Sequence, residues 1–312
     1  MKKLRAGVLG AGHLGKIHLR LLQESDSYEL MGFYDPETNA AKALSEKEGY
    51  TAFGSIEELL AVVDMVDIVT PTMVHHQMAI QCLNAGKHVF IEKPITQTVA
   101  QAEEIVSLAN QKGLKGQIGH VERFNPAFKA IKEHIEKPMF IEAHRLAEFN
   151  QRGTDVPVIL DLMIHDIDLA LYLNGPIRSV SAHGFIEDKM IDFASALLTH
   201  TNGHFSRIHA SRITDKKARS IQATCLDMYV DCDLLRKEII INRQTETHQQ
   251  SNGPYMISSF EETVEIRPQE ALLMELQAFL SSCLGESVDK PDALDGLEAM
   301  RICDEIQTII LE

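Results

Sequence analysis

The chain has 312 residues, a length that accommodates two domains, and its 45% hydrophobic and 24% charged residues are ordinary for a globular protein. The formal net charge of -15 disfavours nucleic acid and anionic membranes as partners. No run of about 18 apolar residues predicts a membrane span. The five cysteines are scattered without zinc-finger spacing, so we expect reduced thiols, no metal site and a cytoplasmic protein.

The first motif is a glycine-rich turn between two apolar runs. Residues 6–9 lead into Gly10-Ala11-Gly12-His13-Leu14-Gly15, a helical pattern follows, and a second apolar run covers 30–34. A dinucleotide site uses the first glycine for a sharp turn, the second for close approach of the pyrophosphate, and the third for helix packing. The helix N-terminus offers free N–H groups to the phosphates. The residues expected to bind the cofactor here are Gly10, Gly12, His13, Leu14 and Gly15.

Asp35 ends the second apolar run, 20 residues after Gly15. Its carboxylate can accept hydrogen bonds from both hydroxyls of an adenosine ribose and would repel a 2′-phosphate, which favours NAD over NADP. Asp35-Pro36 also has the pattern of a helix N-cap followed by proline at the first helical position, and both interpretations can hold together. A purely structural glycine turn is the alternative. The strand, the helix and the acid at the expected distance favour the dinucleotide site.

Strand and helix patterns alternate up to about residue 119, which predicts a parallel, doubly wound sheet covered on both faces. Ligands of such sheets bind at the carboxyl ends of the strands. Five predicted strand ends should therefore line one edge, at Gly10, Asp35, Thr70, the segment Glu92-Lys93-Pro94, and His120.

Lys93 lies at one of these strand ends and has two interpretations. It could form an ion pair with Glu92, as an ordinary loop charge. It could instead bind and polarise a substrate hydroxyl beside the cofactor. Spacing alone does not decide between them.

In the second half, residues 158–171 have a helical pattern in which Asp161, His165 and Asp168 share one face. The histidine could be satisfied by two local carboxylates. It could belong to a metal site, although no third ligand is identifiable. It could also be a general base oriented by an acid.

Beyond Gly175 six segments have strand length and are joined by short connectors, which predicts an open, mostly antiparallel sheet. A polar loop is expected over 245–255, an amphipathic helix over 270–284 and a last helix over 292–311. We therefore predict an α/β chain with an NAD-binding Rossmann domain over 1–120. An α+β domain for substrate binding and oligomerisation is predicted over 121–312.

Two segments carry a family resemblance. Thr70-Pro71-(x3)-His75, followed by Ala85-Gly86-Lys87-His88-Val89-Phe90-Ile91-Glu92-Lys93-Pro94, resembles the signature of the Gfo/Idh/MocA oxidoreductases, the relatives of glucose-fructose oxidoreductase and inositol dehydrogenase. The resemblance implies a catalytic Lys93 that contacts the reacting sugar and a cis Lys93-Pro94 bond. It also implies cofactor contacts from Thr70, Pro71, His75, Glu92 and Lys93, whereas His76 is expected at the surface.

The helical motif is similar to the family's Asp-(x3)-His-(x2)-Asp helix. The resemblance implies catalytic and substrate-binding roles for Asp161 and His165 and a more structural role for Asp168. One departure is that residues 154–158 replace the glycine-rich turn that many members have before this helix. Members associate through the outer face of their sheet, so the resemblance also implies a homodimer or homotetramer.

The expected function is NAD-dependent oxidation of a secondary hydroxyl of a sugar or nucleotide-sugar. Residues 120–126 and 158–162 resemble the branch that acts on UDP-N-acetylglucosamine at C3, with Arg123 as a substrate contact. Arg123 could instead be a loop arginine paired with Glu122. The alternatives are an inositol or free-sugar dehydrogenase and, in another class, a non-catalytic NAD-binding regulatory protein.

Overall fold

The computed structural model describes residues 3–135, 138–148, 156–187, 190–243 and 260–312. Contacts between Cα atoms divide the chain into two compact units. Unit one comprises Met1–Val121 and Glu270–Arg301, and unit two comprises Glu122–Gln269 and Ile302–Glu312. The polar loop predicted over 245–255 lies outside the described residues. Within them, no helix has the length and apolar character needed to cross a membrane.

Unit one is built on a parallel sheet of five strands in the order β2-β1-β3-β4-β5. The predicted doubly wound sheet is therefore confirmed. Residues 50–53 have the sequence pattern of a short strand, but the structure forms only an isolated bridge there, between Ala52 and Phe33. The strands are β1 (Leu4–Leu9), β2 (Tyr28–Tyr34), β3 (Met65–Ile68), β4 (His88–Ile91) and β5 (Gly116–Ile118).

Helices connect these strands. Ser55 and Thr98 cap two of them, each accepting a hydrogen bond from a backbone N–H three residues further on. Gly113, in the left-handed conformation, ends the helix that Thr98 caps, and Gly49 ends another helix in the same conformation. The helices are α1 (His13–Glu24), α2 (Thr38–Glu48), α3 (Ile56–Val62), α4 (Thr72–Asn84) and α5 (Val99–Lys112).

The predicted boundary at residue 120 needs one correction, because residues 270–301 belong to unit one. Leu276 and Phe279 of the later helix over 271–283 are fully buried in a core that contains Val8 and Leu19. Phe279 also packs edge-on against Phe90 of β4, with ring centroids 5.8 Å apart. A helix distant in sequence thus covers the sheet of unit one, because its apolar face is buried there.

Unit two contains an eight-stranded sheet in the order β13-β12-β11-β10-β6-β9-β8-β7. Among the strands that the structure describes here, only β6 and β9 pair in parallel, so the mostly antiparallel prediction is confirmed. Strand β13 was missed, and the other strands agree with the pattern to within a few residues. They are β6 (Phe140–Leu146), β7 (Ile177–Glu187), β8 (Met190–His200), β9 (Phe205–Ser211), β10 (Ala218–Thr224), β11 (Met228–Asp233), β12 (Glu238–Arg243) and β13 (Phe260–Thr263).

The helix predicted over 158–171 differs in its first turn. Ile159–Met163 is π-helical, and α-helix follows over Ile164–Asn174. Such wide turns are frequent at functional sites and are not visible in an apolar pattern. The α-helices from residue 122 onward are α6 (Pro126–His134), α7 (Ile164–Asn174), α8 (Ala271–Cys283) and α9 (Ala293–Leu311).

Candidate active site

Two of the three glycines in the turn are required by the protein itself. Gly10 has a φ of 93°, and a Cβ there would lie 2.7 Å from the carbonyl oxygen of Val69. A Cβ on Gly15 would lie 2.1 Å from the carbonyl oxygen of Gly10. Both positions therefore exclude larger residues on packing grounds.

Gly12 is different, because a Cβ on it would meet no protein atom within 4 Å. Its φ of -66° is one that any residue adopts. The glycine therefore leaves open space that the fold does not need. Helix α1 begins directly afterwards, at His13, with no side-chain cap and no acid in its first turn. This open, uncapped N-terminus fits the pyrophosphate of a dinucleotide.

The carboxylate of Asp35 is oriented by two backbone donors. The N–H of Ala11 donates to Oδ2 at 2.7 Å, and the N–H of Glu37 donates to Oδ1 at 2.9 Å. The predicted N-cap role is wrong, because helix α2 begins at Thr38 and Glu37 occupies the N-cap position. The carboxylate instead ties the end of β2 to the glycine turn.

The expected alignment of strand ends in unit one is confirmed. Gly10, Asp35, Thr70, Glu92 and His120 each follow one strand of the same parallel sheet by one or two residues. Parallel strands end at one edge, so these positions lie along it.

The segment after β4 is held by hydrogen bonds along that edge. The Lys93-Pro94 bond is cis, as the resemblance implies. The backbone N–H of Lys93 donates to Glu92 Oε2 at 3.2 Å. The buried ring of His75 spans two carbonyl oxygens, with Nδ1 2.9 Å from that of Pro94 and Nε2 2.7 Å from that of Thr70. Burial lowers the pKa of His75.

His18 is a residue of this edge that sequence reasoning missed. It lies on α1 with no exposed surface, its Nδ1 2.8 Å from Asp67 Oδ2 and its Nε2 3.1 Å from Glu92 Oε1. Burial alone would lower the pKa of His18, but the charges and hydrogen bonds of Asp67 and Glu92 outweigh it and raise the pKa to about 10. The only signal in the sequence was a histidine on the apolar face of α1.

In unit two, Asp161 lies in the π-helical turn and His165 in the first turn of α7, and both are half-buried. The backbone N–H of Asp161 donates to the carbonyl of Pro157 at 3.1 Å. The next acids along the helix, Asp166 and Asp168, are fully buried instead. The polar residues of the motif therefore divide into an accessible pair and a buried pair.

Arg123 contacts the buried pair. Its Nε and Nη2 donate to Asp168 at 2.8 and 2.6 Å, and its guanidinium lies 4.6 Å from the ring centroid of Tyr172. Neither prediction for this residue anticipated a partner 45 positions away. Arg123 is only 9% exposed and forms a bidentate ion pair with Asp168. Both observations weigh against Arg123 as a substrate contact.

A second buried arginine anchors the other acid. Arg145 donates through Nε and Nη2 to Asp166, at 2.9 and 2.8 Å, and through Nη1 to Glu122 at 2.8 Å. Arg219 approaches the same Glu122 oxygen at 3.2 Å, and its side chain is 39% exposed. The two buried arginines thus hold α7 through Asp166 and Asp168.

Among the described residues, no group of three or more histidine, cysteine or acidic side chains could hold a metal ion. The nicotinamide cofactor is the group that the residues of unit one fit.

Comparison with known proteins agrees with this geometry. The sequence profile described as "Oxidoreductase family, NAD-binding Rossmann fold" matches residues 4–120, and that of the GFO/IDH/MocA C-terminal domain matches residues 115–227. The UDP-N-acetylglucosamine 3-dehydrogenase of Acidithiobacillus ferrooxidans is 33% identical over 308 residues, which cover 97% of this chain and 95% of that enzyme.

A solved structure of that enzyme superposes with a TM-score of 0.91 at 31% identity, covering 99% of this chain and 98% of the other. The scyllo-inositol 2-dehydrogenase (NAD(+)) of Bacillus subtilis is 30% identical over 233 residues, 67% of this chain and 68% of that enzyme. The chain therefore belongs to the Gfo/Idh/MocA family of NAD-binding oxidoreductases.

Proposed function

We propose that this protein oxidises a secondary hydroxyl of a nucleotide-sugar with NAD, in the manner of a UDP-N-acetylglucosamine 3-dehydrogenase. The observation that carries the proposal is the similarity to such an enzyme, 33% identical along 97% of this chain. Lys93, Asp161 and His165 supply the chemistry that the reaction needs. In this proposal unit one holds the cofactor and unit two holds the sugar.

Each side chain has a role that its chemistry supports. His165 accepts the proton of the substrate hydroxyl as a general base, and Asp161 orients the ring and stabilises the resulting imidazolium. Lys93 binds the reacting oxygen and stabilises the negative charge that develops on it. NAD, when bound, accepts the hydride. Asp168, buried against Arg123, positions the helix rather than touching substrate.

For the cofactor we propose NAD rather than NADP. The support is the carboxylate of Asp35, which follows β2 and is oriented by the N–H of Ala11 in the glycine turn. A 2′-phosphate next to that carboxylate would be repelled. We propose contacts to the dinucleotide from the glycine turn and the neighbouring strand ends. These residues are Gly10, Gly12, His13, Leu14, Gly15, Asp35, Thr70, Pro71, His75, Glu92 and Lys93.

Two alternatives remain as second candidates. The 30% identity to an inositol dehydrogenase keeps inositol and free sugars as possible substrates. A non-catalytic NAD-binding regulator would not need Lys93, Asp161 and His165, and their presence together favours the enzyme.

We also propose that the protein is a cytoplasmic homodimer or homotetramer. The support for association is the face of the unit-two sheet that carries Leu197, Phe205, Tyr229 and Ile240, each at least 36% exposed. Phe140 and Phe205 pair across β6 and β9 on this outer face, with ring centroids 4.9 Å apart. Exposed apolar patches of this kind mark interaction sites. If Phe205→Asp leaves the molar mass in light scattering unchanged, this face is not the interface.

The test of function is a direct assay. Purified protein is mixed with NAD and UDP-N-acetylglucosamine, or with inositol or glucose in parallel, and reduced nicotinamide is followed by absorbance. We expect a rise with the UDP-sugar. Lys93→Ala and His165→Ala should each lower kcat by about 100-fold or more, the scale of a lost general base or of a charge that stabilises the transition state.

His76→Ala is the matched control, because His76 pairs at 2.8 Å with Glu104, whose side chain is 65% exposed. If Lys93→Ala or His165→Ala keeps near-normal turnover on the true substrate, the assignment of that residue is wrong. If the absorbance of reduced nicotinamide rises with inositol alone, the protein is an inositol dehydrogenase rather than a nucleotide-sugar dehydrogenase. If no substrate gives a rise in absorbance, the protein is then denatured deliberately and the solution is tested for NADH. Released NADH indicates an enzyme that recycles a tightly bound cofactor, and its absence indicates a protein that only binds.

A further inference from the structure

Lys93, the proposed catalytic lysine, directly follows Glu92, whose carboxylate belongs to a buried row of three charged side chains. Glu92 lies 3.1 Å from His18, and His18 lies 2.8 Å from Asp67. The three groups come from helix α1, strand β3 and the end of strand β4. The His18 and Asp67 side chains are wholly buried, and that of Glu92 is 12% exposed. His18 and Asp67 are not among the residues proposed to contact the cofactor, whereas Glu92 is.

Glu92 has little freedom of its own. Its Oε2 accepts the backbone N–H of Lys93 at 3.2 Å. A Cβ on Gly119 would lie 2.9 Å from the same oxygen, so the carboxylate lies directly against the end of β5. Whatever orients this carboxylate therefore orients the first backbone group of Lys93.

We propose that His18 is a positioning residue for Lys93, tying Glu92 to Asp67 so that the Glu92-Lys93-Pro94 segment is held at the sheet edge. His18 lies between the two carboxylates as an imidazolium, with Nδ1 hydrogen-bonded to Asp67 and Nε2 within ion-pair distance of Glu92. A neutral ring could donate to only one of them. The inference rests on the proposed role of Lys93 and adds the group that holds that lysine in place.

A purely structural role for His18 can be told from a positioning role by replacing the residue. Burying two carboxylates and an imidazolium is unfavourable, and an apolar side chain of similar size could fill the same space. The rings of His18 and Phe90 pack in a T-shaped arrangement, with centroids 6.0 Å apart. A packing role would therefore survive replacement of His18, whereas a positioning role needs both of its contacts.

The kinetic test uses His18→Gln, Glu92→Gln and the double variant, with His76→Gln as the matched histidine control. We expect His18→Gln to lower kcat by about tenfold or more while KM for NAD changes less than about threefold, because most of the proposed dinucleotide contacts lie outside the Glu92-Lys93-Pro94 segment. The double variant should be no slower than Glu92→Gln alone, since His18 acts through Glu92. Independent, multiplicative losses would overturn the proposal.

The Lys93→Ala variant distinguishes an error in the positioning role of His18 from an error in the catalytic role of Lys93. If Lys93→Ala is inactive while folded His18→Gln keeps normal kcat, the positioning role is wrong and the proposed function stands. If Lys93→Ala keeps normal turnover, the catalytic role proposed for Lys93 is wrong and the positioning role falls with it. Asp67→Asn is the second variant should His18→Gln not fold, with a smaller fall in kcat expected in the same direction.

A measurement on the unmodified protein needs no substrate. Nitrogen-15 NMR of the histidine side chains should show one imidazolium, protonated on both nitrogens, that does not titrate between about pH 6 and pH 9. The signal should be absent from His18→Gln and retained in His76→Gln. If every imidazolium signal of the wild-type protein titrates within that range, His18 does not bridge the two carboxylates and the proposal is overturned.

Discussion

Asp35 accepts a hydrogen bond from the backbone N–H of Ala11 at 2.7 Å, so the acid at the end of β2 is joined directly to the glycine turn. The side chain proposed to select the cofactor is thereby held by the segment proposed to bind its phosphates. We expect Asp35→Ala to raise KM for NAD by about tenfold or more, because hydrogen bonds to a charged group contribute roughly 1.5–3 kcal/mol.

The same substitution should narrow the preference for NAD over NADP by removing the repelling charge. The measurement is kcat/KM with each cofactor. Asp35→Asn keeps an acceptor without the charge and should give an intermediate preference. Equal loss with NAD and NADP would show that Asp35 supports the turn without selecting the cofactor.

The glycine turn provides a matched pair of substitutions. Gly12→Ala adds a Cβ where nothing lies within 4 Å, so the melting temperature should change little while NAD affinity falls. Gly15→Ala places a Cβ 2.1 Å from the carbonyl oxygen of Gly10, so it should destabilise the fold. Thermal melting and NAD titration of both variants check this. If Gly12→Ala leaves the affinity for NAD unchanged, the phosphates of the cofactor do not bind next to Gly12.

The buried imidazolium of His18 predicts a pH-dependent stability. Its pKa is raised to about 10 in the folded protein, against about 6.5 for an unperturbed histidine. The raised value means that the stabilisation is fully present below about pH 6.5 and is lost as pH rises through about 10.

The measurement is urea unfolding of the wild-type protein and of His18→Gln across this range. The difference in unfolding free energy between them should shrink as pH rises. A difference that stays constant with pH would indicate a neutral His18. Subtracting the variant removes the contributions of other groups that titrate at high pH.

The ion pair of Arg123 with Asp168 predicts a loss of stability rather than a change in KM. Arg123→Ala would leave a buried carboxylate without that partner, so we expect the unfolding free energy to fall by about 3 kcal/mol or more. Urea unfolding measures this.

Arg236→Ala is the control, because Arg236 lies 3.9 Å from Asp233 with its own side chain 74% exposed. Exposed pairs of this kind contribute less than about 1 kcal/mol. A stable Arg123→Ala variant with a raised KM for the sugar would restore Arg123 as a substrate contact.

Much of unit one could be predicted because its signals are local. The glycine spacing, the apolar strands and the residue after each strand lie close together in sequence, and a parallel sheet brings its strand ends to one edge. The cis Lys93-Pro94 bond followed from the family resemblance. The strands of unit two were found for a similar reason, since each carries its own pattern.

The features that escaped prediction depend on partners far apart in the chain. His18 and Asp67 are separated by 49 positions, and Arg123 and Asp168 by 45. An apolar pattern shows that a helix buries one face but not which sheet covers it, so the packing of α8 in unit one was also missed. The sequence by itself determined the family, the cofactor-binding fold and the candidate catalytic side chains. Only the tertiary structure decided which charged groups pair, because burial removes water and leaves each charge dependent on the neighbour that the fold supplies.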